Sequence, residues 1–562
     1  MIIYIGHQDN NIGMKKSLFY FLKNAEFPAA RLVTIVSLYF LFFLNFSFWR
    51  YIFTHVDCSH FIGGLFVLSV PIFLCAALYL LFSLLLLPYV GKPLIIVLLI
   101  ISAATNYFMY QFGIFIDADM IRNTFETAPS EVKDLVTIRS VLWLTLLGIF
   151  PAFCLAKIKI IFRPFGRELW SRLQRFLVLV LCLLLLLPFL YKDYASFGRN
   201  NRHIRQLINP TNYLWATLRY FQEEHATKRT ITKLDEEAQL VPYPDKKRTI
   251  FILVLGETAR AMNFSLNGYE HETNPKLKQQ DIVNFRHVKS AGTSTAVSVP
   301  AIFSFLSRKD FKPSKAKYTE NMLDLLQQSG YEILWKENDN GCKKVCERVP
   351  YLEMDVKNEQ FCDGKYCKDE VLLEGLEEFL TNLKGDAFIV LHTIGSHGPT
   401  YYRRYPDQFK QFTPTCDTED IQTCTKEQIV NTYDNTILYT DHILSSLIDM
   451  LKKFPDYETG LLYVSDHGES LGENGIYLHS LPYWIAPKEQ TSVPMIVWMN
   501  EAMKSSSHID YNCLKKKASE QKFSHDHLSH SLLALMEVDS KWYDKKLDLF
   551  DSCRTAPLPR KF

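Results

Sequence analysis

Apolar and polar residues fall into two regimes along this chain. Residues 31–191 carry long runs rich in Leu, Phe and Ile, whereas from residue 196 onward the apolar stretches are short and broken by charges and turn formers. Five runs in the first regime, near 32–53, 62–88, 93–113, 138–158 and 174–191, approach or exceed the ~20 residues that a helix needs to cross a bilayer. The second contains Pro71, which a membrane helix tolerates when neighbours re-satisfy the freed carbonyl. The first is too long and too far into the chain for a cleaved signal peptide and lacks a small-residue cleavage site. Buried helices of a soluble protein are the competing reading, but five in succession predict a polytopic α-helical membrane domain.

Beyond it the period changes. Residues 196–247 form a polar bridge in which "NPTNYLWATLRYFQEEH" (209–225) sets Tyr213, Leu214, Leu218 and Phe221 near one helical face with Trp215 beside them. Such a face suits either the lipid headgroup layer or the flank of a soluble domain. Then residues 249–255, within "RTIFILVLGETAR", make a continuous β-branched and apolar run, as a strand buried on both faces does. "DAFIVLHTIGSHG" (386–398) and "TGLLYVSDHGES" (459–470) repeat the pattern, with helical stretches around 322–330, 369–383 and 426–454. Strands alternating with helices predict an α/β layered domain with a mainly parallel sheet. The expected division is therefore 1–195 for the membrane domain, 196–247 for the bridge and 248–562 for the α/β domain.

Charge supplies orientation. A net charge of +2 over 562 residues gives no reason to expect nucleic acid. The N-terminal segment carries Lys15, Lys16, Lys23 and Arg31, with Met14 an alternative start, and the loop after the fourth run carries Lys157, Lys159, Arg163, Arg167, Arg172 and Arg175. Basic loops stay in the cytoplasm. The loop 114–137, with Asp117, Asp119, Glu126, Glu131 and Asp134, falls on the other side, and five spans put the C-terminal domain outside with it. The cysteines agree. Cys58, Cys75, Cys154 and Cys182 lie in or beside the spans, while Cys342/Cys346, Cys362/Cys367 and Cys416/Cys424 are close pairs in the polar part. In an oxidising compartment such pairs close small disulfide loops, with a zinc knuckle as the alternative. Cys513 and Cys553 are left unassigned.

Ligands of parallel sheets bind at the carboxyl ends of the strands, and there each apolar run ends in ionisable residues: Glu257, then His392 and His397, then Asp466 and His467. Singly each fits a structural role. Together they bring carboxylate oxygen and imidazole nitrogen without thiolate to one edge, a donor set for Zn²⁺, with Mn²⁺ or Mg²⁺ less suited. A divalent ion activates a hydroxyl and offsets phosphate charge, and "SAGTSTAVSVPAIFS" (290–304) offers six hydroxyls with no charge. The histidine-rich "SHDHLSH" (524–530) reads instead as a helix start capped by Ser524 or Asp526.

The motifs "LGETAR", "GTSTAVSVP", "YDNTILYTDHIL", "HTIGSHGP" and "SDHGESLGENGIYLH" resemble those of the phosphoethanolamine transferases of Gram-negative inner membranes. That family includes lipid A modifying enzymes and mobile colistin-resistance enzymes, and the resemblance spans nearly the whole chain. It implies five transmembrane helices followed by an alkaline-phosphatase/sulfatase-like periplasmic domain. By position, Thr295 is the nucleophile and a zinc ligand with Glu257, Asp466 and His467. His392 or His397, with His479, match histidines that bind phosphoethanolamine or a second metal, and Lys343 matches a lysine near the phosphate. Asn123, Thr127 and Glu131 in "MIRNTFETAPSE" match residues that hold the ethanolamine end. The implied reaction is a double displacement: Thr295 takes phosphoethanolamine from phosphatidylethanolamine, and a lipid A phosphate then accepts it, with zinc and Lys343 stabilising charge and His479 moving protons. The added ethanolamine would mask negative charge and lower polymyxin binding. Family members often carry cysteines where this chain has Ala291 and Ala301.

Competing readings are a sulfatase, a glycerol-phosphate transferase and a non-catalytic membrane sensor. The sulfatase signature needs arginine where Ile302 follows Ser298-Val299-Pro300-Ala301. Decay to a sensor conflicts with a full set of ligand types.

Overall fold

The structure is a computed structural model that describes residues 26–56, 61–127, 129–225, 230–241 and 246–557. Met14, Lys15, Lys16, Lys23 and Cys58 lie outside the described residues. Two compact units emerge, one of Met1–Asp117 with Val136–Ala216, the other of Ala118–Leu135 with Thr217–Phe562.

Among the described residues of the first unit, four helices are long and apolar enough to cross a membrane: Gly63–Leu85, Gly91–Phe112, Ile138–Lys157 and Phe165–Leu186. The pair Ala29–Phe43 and Phe46–His55, bent by 55°, makes a fifth span if counted as one. Its break lies at Asn45, a buried polar residue between two apolar helices. Asn45 Nδ2 donates to Phe40 O (2.9 Å) and Asn209 O (3.1 Å), and its Oδ1 accepts from Asn209 N at 2.8 Å. Backbone groups freed at a break inside lipid must find such partners. The fourth span contains a π-helical turn, Thr145–Ile149, just before Pro151. Proline has no N–H for the carbonyl four residues back, and that carbonyl, Leu147 O, accepts from Tyr39 Oη at 2.9 Å. The fifth helix, Phe165–Asn200, runs well beyond the expected 174–191. Arg167, Arg172 and Arg175 consequently sit on its first turns rather than in a loop.

The second unit is built on an eight-stranded sheet in the order Phe523–Ser524, Val283–Lys289, Ser492–Met499, Glu458–Ser465, Thr249–Gly256, Ala387–His392, Glu332–Glu337, Tyr351–Glu353. Pairing is parallel from Glu458–Ser465 through Tyr351–Glu353, and only Ser492–Met499 runs against its neighbours. The three expected strands are the central three. Alternate side chains of a strand face opposite layers: Phe251, Leu253 and Leu255 join one buried core and Ile250, Ile252 and Val254 the other. The long helix Lys426–Leu451, started by a Thr425–Gln428 capping box, covers the second core with Tyr433, Ile437, Leu444 and Ile448. The expected helix at 369–383 is instead a 3₁₀ turn, Asp369–Leu373, and a short helix, Leu376–Thr381. Gly375 interrupts them at φ +68°, a left-handed conformation suited to glycine.

The close cysteine pairs are disulfides: Cys342–Cys346, Cys362–Cys367 and Cys416–Cys424. A fourth joins Cys513 to Cys553 across 40 residues. Closing a loop of that length is worth about 4 kcal/mol in the chain-entropy model. The double Cys513→Ser, Cys553→Ser variant should therefore melt several degrees lower; an unchanged midpoint would mean that packing alone holds this C-terminal segment.

On the helix Thr211–His225, Tyr213 is buried, with its Oη 3.1 Å from Ser102 Oγ, while Leu214, Trp215, Leu218 and Phe221 are exposed. The sequence set all five near one face, and four of them stay uncovered.

Candidate active site

Three parallel strands end side by side, and each delivers a titratable group. Gly256 leads directly into Glu257, Ser465 into Asp466, and His392 closes its own strand. The crossing is tight at Gly395, φ +48°, where an added Cβ would lie 2.7 Å from Glu257 O. Asp369 fixes this turn by accepting from Ile394 N (2.9 Å) and Gly395 N (3.0 Å).

Glu257, Asp466 and His467 form one buried group whose donor atoms lie within 4.8 Å of one another. Asp466 Oδ1 accepts from His467 N (2.6 Å) and Thr258 N (3.3 Å), while Oδ2 has no partner. Glu257 Oε2 accepts from Thr295 Oγ1 at 3.1 Å, while Oε1 has no partner. His467 Nδ1 donates to Gly468 O at 2.9 Å, so Nε2 carries the lone pair. That nitrogen lies 3.3 Å from Asp466 Oδ2, 3.4 Å from Glu257 Oε1 and 3.4 Å from Thr295 Oγ1.

Donors at ~2.0–2.1 Å around a tetrahedral ion stand about 3.3 Å apart, which is the spacing of these pairs. Electrostatics points the same way. Burial, then the charges of Asp466 and Asp339, pushes the Glu257 carboxyl well up; burial raises Asp466 and drives His467 well below the usual imidazole range. Two buried carboxylates, each with one oxygen free of hydrogen bonds, beside an imidazole whose charged form burial disfavours, fit a divalent cation.

Thr295 opens the helix Thr295–Ile302, where the helix dipole favours an anion. Of the hydroxyls in 290–304, Thr295 is the one that reaches this group. Ser290 Oγ donates to Gly292 O, Thr293 Oγ1 donates to Leu481 O, and Ser298 is buried without a partner. Ala291 and Ala301 are both buried. His525 ties the preceding loop to the sheet, accepting from Ala291 N at Nδ1 (3.1 Å) and reaching Ser465 O through Nε2 (3.0 Å). Ser524 stands at the N-cap of the 3₁₀ turn His525–His527, and the helix Leu528–Leu535 follows it.

The remaining expected residues divide. His479 packs 4.5 Å from His467, ring to ring, and 5.6 Å from His397. Burial disfavours its charged form, but Glu469, 2.8 Å from Nδ1, holds its pKa above the usual value. A hairpin makes that contact: Ser470 pairs with Leu478, so Glu469 meets His479 at the next position. Burial pushes His397 well below the usual range, with Nε2 3.4 Å from Glu131. Glu131 also accepts from Asn340, whose carbonyl accepts from Lys343 Nζ at 2.8 Å. Burial, then Asp339, raises Glu131 to about 7. Asn123 Nδ2 donates to Ser480 Oγ at 2.7 Å, beside His479. Thr127 Oγ1 donates within its own segment, to Asn123 O at 2.6 Å. His392 is fully buried against Glu337 and Asp339, not grouped with His397 and His479.

Several contributors were not anticipated: Asp339, Asn340, Glu469, Arg404 and Asp134. Arg404 Nε donates to His397 O at 2.8 Å. Asp134 accepts from Lys365, from Tyr366 Oη (2.6 Å) and from Thr400 Oγ1 (3.3 Å). Lys365 and Tyr366 lie inside the Cys362–Cys367 loop, so a disulfide hairpin grips the segment that carries Glu131. A cavity of about 630 Å³ adjoins this corner, lined among others by Phe125, Tyr220, Lys317, Asn340, Lys343 and Tyr351.

Comparison with known proteins places these features. Residues 74–225 match the family described as "Phosphoethanolamine transferase EptA/EptB" and residues 249–538 the family described as "Sulfatase". The chain is 42% identical over 541 residues to the phosphoethanolamine transferase EptA of Escherichia coli K12, covering 95% of this chain and 98% of that protein. It is 36% identical to the phosphatidylethanolamine transferase Mcr-2 of Escherichia coli, covering 84% and 89%. Among solved structures it resembles the integral membrane lipooligosaccharide phosphoethanolamine transferase A of Neisseria meningitidis, with a TM-score of 0.91, 40% identity and coverage of 95% and 100%.

Proposed function

The chain belongs to the phosphoethanolamine transferase family of the EptA and Mcr enzymes, and on that premise we propose that it transfers phosphoethanolamine from phosphatidylethanolamine to a phosphate of lipid A through Thr295. The observation that carries this reading is Thr295 Oγ1 set 3.1 Å from Glu257 and 3.4 Å from His467 Nε2. The Mcr-2 relative is named for the donor and the Neisseria relative for a lipooligosaccharide acceptor. Residues 1–195 anchor the protein in the bacterial inner membrane, 196–247 bridge, and 248–562 form the periplasmic catalytic domain.

Glu257, Asp466, His467 and Thr295 would hold Zn²⁺. Bound there, the ion would lower the pKa of the threonine hydroxyl and offset negative charge on the phosphoryl oxygens. In the first half-reaction Thr295 gives its hydroxyl proton along its hydrogen bond to Glu257 Oε2, the Thr295 Oγ–phosphorus bond forms, the phosphorus–oxygen bond to diacylglycerol breaks, and the leaving alkoxide takes a proton. His479, whose pKa Glu469 holds above the usual imidazole value against the effect of burial, would supply it. In the second, a lipid A phosphate oxygen bonds to phosphorus and Thr295 leaves, regaining its proton. Glu131 pairs with the ethanolamine ammonium, with Asn123, His397 and Thr127 around it, and Lys343 steadies the phosphoryl charge. Lys343→Ala should lower kcat by roughly 10²-fold; a change confined to KM would move this lysine to binding alone.

Asp134 acts through Glu131. Asp134→Asn should reproduce much of the loss caused by Glu131→Gln, and the double variant should be little worse than the worse single one. Losses that multiply would give Asp134 a separate role. Masking lipid A phosphates with an ethanolamine cation would weaken cationic peptide binding and raise polymyxin tolerance. The test is mass spectrometry of lipid A from cells with and without the chain. A phosphoethanolamine increment that depends on Thr295 is expected, and unmodified lipid A from expressing cells defeats the acceptor assignment.

A further inference from the structure

The helix that Thr295 opens leads to a loop whose charges have no partner. Thr295–Ile302 is eight residues long, about 12 Å, and the chain beyond it reaches the surface at Leu306. There "LSRKDFKPSK" (306–315) sets Arg308, Lys309, Lys312 and Lys315, all exposed, against one acid, Asp310. Asp310 accepts from Ser307 Oγ at 2.9 Å, and Asp526 beside the loop accepts from Arg308 N at 2.9 Å. The next lysine, Lys317, is paired with Glu126 (2.9 Å) and Glu224 (3.2 Å). The ammonium groups of Lys309, Lys312 and Lys315 have no such partner among the described residues. A merely solvated run of lysines is the plain alternative, and the apolar neighbours argue against it. Leu306 is 40% exposed and Trp484 61%. Arg308 joins the two, its Cζ 3.3 Å from the centre of the Tyr483 ring. Tyr483 Oη donates to Ser290 O at 2.9 Å and Ser480 N to Thr293 O at 2.8 Å, so the patch borders the nucleophile loop.

We propose that residues 306–315, with Trp484, are a docking surface for an anionic phospholipid bilayer, which seats the Thr295 loop against the membrane. Its effect on rate rests on the transferase reading; the docking does not. The cations are strung along eight residues, with exposed apolar side chains among them. Diffuse positive charge with tryptophan and leucine suits a headgroup layer better than it suits one bound phosphate, which calls for convergent donors. Chain connectivity agrees. Helix Thr295–Ile302 packs on helix Ala118–Glu126, and Lys317 ties the end of the basic loop to the same helix through Glu126. The segment 118–135 lies in the chain between the spans Gly91–Phe112 and Ile138–Lys157, so both of its ends lead into the bilayer.

The test uses the full chain in lipid nanodiscs holding phosphatidylethanolamine and a low, fixed fraction of lipid A. The remaining lipid is either neutral phosphatidylcholine or anionic phosphatidylglycerol. Anionic discs should raise the wild-type transfer rate about ten-fold, and the triple variant Lys309→Glu, Lys312→Glu, Lys315→Glu should lose that gain. In detergent micelles, where no bilayer is present, the two proteins should turn over alike. Docking is also read apart from turnover. The emission of Trp484, taken as wild type minus Trp484→Phe, should be quenched by brominated phosphatidylglycerol, and in the triple variant it should not be. Quenching without any modified lipid A would end the transferase reading and leave the docking surface standing. Unquenched Trp484, or an equal response of both proteins to phosphatidylglycerol, overturns the proposal. A triple variant that only raises KM for lipid A, whatever the surrounding lipid, also overturns it and makes the patch an acceptor site.

Discussion

Thr295→Ala should abolish transfer while leaving the protein folded. The hydroxyl forms the bond to phosphorus, so its loss should cost on the order of 10⁴-fold or more in kcat, as removal of a covalent nucleophile does. Thr295 is only partly buried, and its Oγ1 contacts are with Glu257 and His467. Helix Thr295–Ile302 is anchored by Val299, Pro300 and Ile302, all buried. The change in stability should therefore stay within about 1 kcal/mol. The wild-type protein, digested after exposure to phosphatidylethanolamine, should carry a phosphoethanolamine adduct on the peptide containing Thr295. A serine substitution should keep some activity, because a hydroxyl is retained at the same atom. An adduct on Thr293 or Ser298 would relocate the nucleophile, although Thr293 Oγ1 is committed to Leu481 O at 2.6 Å and Ser298 is fully buried.

How much of this was legible in the sequence depended on how each element is buried. The three central strands are covered on both faces and read as unbroken apolar runs, so Glu257, His392, Asp466 and His467 could be placed at one edge. The neighbouring strand Glu332–Glu337 carries Glu332, Lys336 and Glu337 and shows no such run. Its charges are there for local reasons: Lys336 Nζ donates to Leu372 O and Glu374 O, both at 2.6 Å, and Glu337 orients His392. With that strand unseen, Asp339 just beyond it was unseen too. Glu469 stood in plain view within "SDHGES", but its role depends on a two-residue hairpin register that periodicity does not carry. Local cysteine spacing announced three disulfides, whereas the 40-residue separation of Cys513 and Cys553 has no local signature. The membrane spans were legible in number, and their breaks less so, because Asn45 and the Leu147 carbonyl that Pro151 leaves free are satisfied by distant partners.

Metal removal should have the other large effect, and its sign on stability differs between loaded and stripped protein. Chelation should eliminate activity and Zn²⁺ should restore it to the wild type, since Glu257 Oε1 and Asp466 Oδ2 have no hydrogen-bond partner and His467 Nε2 meets only the Thr295 hydroxyl, 3.4 Å away, besides these carboxylates. Asp466→Asn removes one charged donor from a small set, so metal content should fall and added Zn²⁺ should fail to restore full rate. An ion bound at about 1,000 times its dissociation constant stabilises the fold by roughly 4 kcal/mol, so the loaded wild type should melt above the loaded variant. Without the ion the order should reverse. The stripped wild type keeps Glu257 and Asp466 buried together with Asp339 nearby, and their mutual repulsion, added to burial, opposes ionisation of Glu257. Removing one of those charges relieves it, so stripped Asp466→Asn should melt no lower than stripped wild type. If Asp466→Asn melts lower than wild type by the same margin in both states, the carboxylate stabilises the fold through packing and hydrogen bonds alone. The cation assignment to Glu257, Asp466 and His467 would then fail, and the activation of Thr295 with it.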